Sequence, residues 1–258
     1  MSDEARLLRG KVAVIHGAGG AIGGAVAQAF AKAGAQVFLS GRKLSSVQAC
    51  ADQITAAGGF AEAAQVDALD EAAIDRHLDD VVARAGRVDI AFNAIGVDAQ
   101  QGTLLADLPL EAFTLPVATL TTSQFLTARA ASRHMAAQGS GVILTLSASP
   151  ARLAVGMTGG LCVAWSAVEA LSRTLAAELG PHGVRVVCIR SHRIVDTMAE
   201  ADFPMEREAF VGMLNDMTLL KRTPTRADVA NTAVFLASDH AAAMTGTVAN
   251  LTCGMSVD

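Results

Sequence analysis

The stretch Gly10-Lys-Val-Ala-Val-Ile-His-Gly-Ala-Gly-Gly-Ala-Ile-Gly-Gly-Ala25 decides how the chain is read, because a short apolar run passes through a glycine cluster directly into helix-forming residues. Strand, glycine-rich turn and helix start follow one another with no room for a longer connection. At such a turn Gly17, Gly19 and Gly20 let the backbone approach a diphosphate closely. The helix behind them turns its unbonded N–H groups and positive dipole end toward the same place. Tight packing of a strand on a helix also selects glycine, so the cluster by itself leaves both readings open.

Outward from this unit, short β-like runs alternate with longer helical ones: Gln36 to Ser40 then Leu44 to Ala57, Ala61 to Val66 then Glu71 to Ala85. The rhythm continues through Val88 to Asn93, a helical stretch ending at Gln138, Val142 to Ser147, a long helix from Leu161, Val184 to Arg190, a helix at Ala227 to Ala237 and the short strand Thr247 to Leu251. This predicts an α/β protein, a doubly wound parallel sheet of about seven strands with helices on both faces. No repeat or linker divides it, so one domain over residues 1–258 is expected. The segment 191–224 breaks the rhythm and is the expected lid over a site at the carboxyl ends of the strands.

Composition narrows the function classes. The 258 residues are 52% hydrophobic, yet charge interrupts every apolar segment well short of the roughly 20 residues that span a bilayer. The start Met-Ser-Asp-Glu-Ala-Arg6 is acidic and then basic, unlike a secretory signal, so a cytoplasmic protein is expected. A net charge of -5 without a Lys/Arg cluster offers nothing to nucleic acid or an anionic membrane. Cys50, Cys162, Cys188 and Cys253 form no C-x-x-C pair and stand at no zinc-ligand spacing, which predicts reduced thiols and no metal site.

The turn His16-Gly17-Ala18-Gly19-Gly20-Ala21-Ile22-Gly23 resembles the T-G-x-x-x-G-x-G motif of the short-chain dehydrogenase/reductase family, with His16 for the threonine and Ala21 for the middle glycine. Val66-Asp67-Ala68 is similar to the family's Asp-Val pair, and Asp89-Ile-Ala-Phe-Asn93-Ala-Ile-Gly96 to its D-x-x-x-N-N-A-G strand end. The series from Leu219 to Gly254 extends the likeness over nearly the whole chain. The resemblance implies a Rossmann-type fold and a nicotinamide nucleotide held by Gly17, Gly19, Gly20, Ile22, Arg42, Asp67, Ala68, Asn93, Ala94, Ile95 and Ile194. In Ser40-Gly41-Arg42-Lys43 no carboxylate is available for the ribose hydroxyls, whereas Arg42 offers a guanidinium fork to a 2′-phosphate. That favours NADP(H) over NAD(H), against the plainer reading of a solvated basic turn. His16 reads either as a polar group bonded to the turn or as a catalytic one.

The family's chemistry rests on asparagine, serine, tyrosine and lysine. The Glu169-Ala-Leu-Ser-Arg-Thr-Leu-Ala-Ala-Glu-Leu-Gly180 run sets the register of the family's catalytic helix and puts Leu161 and Trp165 at the tyrosine and lysine positions; the chain contains no tyrosine at all. Leu120 and Ala148 fall at the asparagine and serine positions. Leucine has no proton to give, and an indole carries one donor and no charge. Two groups remain as substitutes. Ser149, like Ser147, flanks the vacated serine position, and His192 stands in Ser191-His192 where the family has Pro-Gly bordering the nicotinamide. Each reads equally as a structural hydroxyl or a solvated loop residue.

Two functions follow. One is an NADP(H)-dependent oxidoreductase with altered chemistry, reducing an activated C=C or an imine in an apolar substrate pocket lined by Leu120, Leu161, Trp165, Met198, Met205 and Met213. The other is an inactive NADP(H)-binding pseudoenzyme, a sensor or assembly subunit. The resemblance also implies a homotetramer or homodimer packed through the alanine-rich fourth and fifth helices.

Overall fold

The computed structural model describes residues 6–257; Met1 to Ala5, which carry the acidic start, and Asp258 lie outside the described residues. Strands β1 Val12–His16, β2 Gln36–Gly41, β3 Phe60–Gln65, β4 Ile90–Asn93, β5 Gly141–Ala148, β6 Val184–Ser191 and β7 Thr247–Leu251 form one sheet in the order β3-β2-β1-β4-β5-β6-β7. All six pairings are parallel. The chain moves outward from β1 to β3, crosses back to β4 and moves outward on the other side, so the order reverses between β1 and β4. Their carboxyl ends diverge there into a crevice.

Strand alternation assigns each side chain to a face. Ala13 and Ile15 pack with Phe30 of α1 (Ala21–Lys32), Ile54 of α2 (Leu44–Ala56) and Leu236 of α7 (Arg226–Ala237). Val12 and Val14 pack on the opposite face with Leu78 of α3 (Glu71–Ala85), Met135 of α4 (Leu110–Gln138) and Leu175 of α5 (Leu161–Leu179). Both faces are therefore covered, as an all-parallel sheet requires. No helix among the described residues is long and apolar enough to cross a membrane.

Two elements differ from the sequence expectation. The fourth strand begins at Ile90 rather than Val88, because the Asp89 side chain turns to accept the Val12 amide at 2.8 Å and forms an ion pair with Arg87. The segment 191–224 contains a helix, α6 (Arg207–Asp216), whose N-cap Glu206 accepts from the amides of Glu208 and Ala209 while Phe210 and Leu214 face inward.

Candidate functional site

The crevice begins at the glycine turn. Gly17 lies in the left-handed region at φ 79, and a Cβ there would come within 2.9 Å of the Ala94 backbone. Its amide and that of Ala18 donate to the Ser40 carbonyl at 2.9 and 3.1 Å, and the Ala94 amide donates to the His16 carbonyl at 2.9 Å. The turn is thus tied to β2 on one side and β4 on the other. Gly19 and Gly20 are exposed, no side chain caps α1, and its first turn holds no acid, so the amide-rich end faces solvent free of a competing carboxylate. Ile22 is half-buried. These features fit a diphosphate group.

At the ends of β2 and β3, Arg42 and Asp67 are exposed and Ala68 is buried. Gln65 Nε2 donates to the Arg42 carbonyl at 3.1 Å, and no ion pair or side-chain hydrogen bond engages its guanidinium among the described residues. Asp67 Oδ1 accepts from the Leu69 amide at 3.0 Å, which orients the carboxylate. At the end of β4 the Asn93 side chain is buried and committed inward, accepting from Ile95 N at 2.8 Å and donating to Thr127 Oγ1 at 2.9 Å. Ala94 and Ile95 are half-buried and Ile194 is buried, so these positions offer backbone and apolar surface to a ligand.

His16 is fully enclosed. Its Nδ1 lies 2.8 Å from Ser40 Oγ, and its ring meets that of His77 on α3 edge-on, centroids 5.9 Å apart. Burial, reinforced by His77, pushes its pKa down to about 3. This is a neutral structural ring fastened beside the turn.

The other end of the crevice is apolar. Leu120 of α4 and Leu161 of α5 are 6% and 5% exposed and pack together with Ala164 and Val168, while Trp165, Val97 and Ala99 close around them. Loops tie the cover down: the Gly102 amide donates to the Met157 carbonyl at 2.8 Å and Arg193 Nη2 to Gln101 Oε1 at 3.3 Å. Met198 packs in a separate cluster with Val195, Phe210 and Leu214, whereas Met205 and Met213 are 49% and 44% exposed.

The two serines beside half-buried Ala148 have different fates. Ser147 Oγ donates to Glu169 Oε1 at 2.8 Å, and that carboxylate takes a two-pronged contact from Arg190, Nε to Oε1 at 2.8 Å and Nη2 to Oε2 at 2.9 Å. Both charged side chains are within the core, 5% and 3% exposed. Ser149 instead meets His192, Oγ to Nδ1 at 3.0 Å. Burial and neighbouring Arg193 push the His192 pKa below the ordinary histidine value, and Nε2 is buried without a partner among the described residues. Sequence reasoning missed the Glu169–Arg190 pair and His77; the available signal was a charged residue inside an otherwise apolar helix face or strand.

The family model described as enoyl-(acyl carrier protein) reductase matches residues 17–256. The chain is 33% identical over 243 residues to tropinone reductase-like 1 of Erythroxylum coca, covering 93% of this chain and 88% of that protein. It is 31% identical over 244 residues to D-threitol dehydrogenase of Mycolicibacterium smegmatis, covering 93% and 90%. A short-chain type dehydrogenase/reductase from Mycobacterium marinum superposes with a TM-score of 0.86 at 29% identity, over 99% of this chain and 98% of that one. Crevice, glycine turn and matches of this extent agree: the chain belongs to the short-chain dehydrogenase/reductase family.

Proposed function

We propose that this protein is an NADP(H)-dependent oxidoreductase that reduces an apolar substrate carrying an activated C=C or an imine, through a site without the family's asparagine, serine, tyrosine and lysine. The observation that carries the reading is the contrast between the two ends of one crevice. At the nucleotide end Gly19, Gly20 and Arg42 are exposed, and the Arg42 guanidinium has no partner among the described residues. At the chemical end Leu120, Leu161 and Trp165, at positions where the resemblance expects protic groups, form one apolar cluster.

When bound, the dinucleotide supplies hydride. Arg42 carries its 2′-phosphate, the turn at Gly17, Gly19 and Gly20 with Ile22 its diphosphate, Asp67 and Ala68 its adenine, and Asn93, Ala94, Ile95 and Ile194 border the rest. The apolar cluster lines the reacting end of the crevice, and Ser149 with His192 is left as the polar pair that meets the substrate. Segment 191–224 acts as lid. The packing of Leu120 on Leu161 favours a second reading, nucleotide binding without turnover. Exposed Leu110, Leu115 and Phe125 on α4 and Val163 on α5 suit a homodimer or homotetramer packed through these helices.

Titration with NADPH and NADH, then stopped-flow oxidation of bound NADPH against ketone, enone and imine panels, tests this. Tight NADPH binding with oxidation by an enone or imine is the expected result. Binding without oxidation by any member supports the pseudoenzyme, and failure of both nucleotides to bind removes the cofactor assignment.

A further inference from the structure

We propose that His192 meets the substrate as a neutral imidazole donating a hydrogen bond from Nε2, and that Ser149 is the positioning residue that fixes this tautomer. Resting on the oxidoreductase reading for its substrate, it draws the tautomer from a count of hydrogen bonds. Ser149 is 3% exposed, and its hydroxyl has no partner besides His192 Nδ1 at 3.0 Å among the described residues. Two arrangements satisfy that contact. If Nδ1–H donates, the serine O–H and the Nε2 lone pair are both left buried without partners. If the serine O–H donates to Nδ1, only Nε2–H is left. An unpartnered buried polar group costs about 1–3 kcal/mol, so the second arrangement is preferred.

The remaining donor is placed where a ligand would meet it. Register pairs Ala148 with Ser191, so Ser149 and His192 stand one residue beyond the paired ends of β5 and β6, at the crevice end of the sheet. Nε2 is sealed from water and has no hydrogen-bond partner among the described residues. Unlike the unpaired Nε2 atoms of His16 on β1 and His77 on α3, this one stands just past the strand ends at the crevice, where an acceptor on a ligand would pair it. Neutrality follows from burial and from Arg193, which both oppose a charge on the ring.

A neutral N–H donor suits an oxygen or nitrogen that gains negative charge during reaction, because its bond strengthens as the charge develops. A conjugated carbonyl is such a group. Its β-carbon would take hydride, two electrons and one hydrogen, from NADPH, leaving NADP+, and its α-carbon a proton from water. His192 keeps its own proton throughout and steadies the enolate oxygen between the two steps.

The test uses the full chain labelled with 15N-histidine, the His192 signals being those lost in His192→Ala. At pH 7 the ring should be neutral with its proton on Nε2, and Ser149→Ala should erase the fixed tautomer while Ser149→Thr keeps it. Adding 2-cyclohexenone to the NADP+-saturated protein should move the Nε2–H proton downfield. His192→Ala should lower enone-dependent NADPH oxidation about 100-fold, with NADPH affinity unchanged. A proton on Nδ1, an imidazolium at pH 7, or no response to cyclohexenone would overturn the proposal. If wild-type protein binds NADPH but oxidises it with no substrate, the oxidoreductase reading fails, and the cyclohexenone shift still decides this one.

Discussion

Arg42 and Gly17 show what a single side chain, or its absence, contributes to the crevice. With its guanidinium exposed and unpaired among the described residues, Arg42 is available for a charge-assisted contact worth about 1.5–3 kcal/mol. Arg42→Ala should weaken NADPH binding about 10- to 100-fold and leave NADH binding nearly unchanged, as read by calorimetry. At Gly17 the left-handed backbone and the nearby Ala94 carbonyl act together, so Gly17→Ala should destabilise the fold by about 2 kcal/mol in urea unfolding. The glycines are legible as a turn from the sequence alone. Their necessity is not, because Ala94 lies 77 positions away and enters only through the pairing of β1 with β4.

At the scale of elements, α5 carries both the enclosed Leu161 and a buried charge. Leu161 is packed like a core residue, so Leu161→Ala should cost about 2–4 kcal/mol by chemical denaturation. A cost below about 0.5 kcal/mol would mean that the side chain is not enclosed by α4. Two turns later Glu169 binds Arg190 from β6, out of water on both sides. Glu169→Gln should cost about 3–5 kcal/mol by leaving the guanidinium buried without its countercharge, whereas replacing both residues with leucine and methionine should be far milder. The helix and the strand were each legible from periodicity. Their salt bridge was not, since nothing in either segment alone says which charged residue faces inward toward the other.

At the scale of the whole molecule, burial keeps two histidines from different elements neutral, His16 of β1 at about 3 and His77 of α3 at about 4. Both values lie below the ordinary 6.5 of an unfolded chain, so on acidification the unfolded state takes up protons first. The stability these groups contribute is complete above pH 6.5 and is lost as pH falls toward 4 and 3. Each costs about 1.4 kcal/mol per pH unit in that window, about 3 kcal/mol per unit together. Urea midpoints at pH 7 and pH 5.5 should show the loss, and His16→Asn should reduce the slope by about half; an unchanged slope would rule His16 out as its source.

The sequence by itself determined the alternation of strands and helices and the place of the glycine turn, because each depends on periodicity within one segment, and the family resemblance put Leu120, Ala148, Leu161 and Trp165 where catalytic groups are expected. Only the tertiary structure decided what surrounds those four positions. Leu120 reaches Leu161 across two helices, Ser147 turns inward to Glu169, and Ser149 meets His192 across the ends of two strands 43 positions apart. Contacts between segments depend on strand order and register, and a one-residue slip of β5 against β6 would turn its side chains to the other face, parting Ser147 from Glu169 and Ser149 from His192 together.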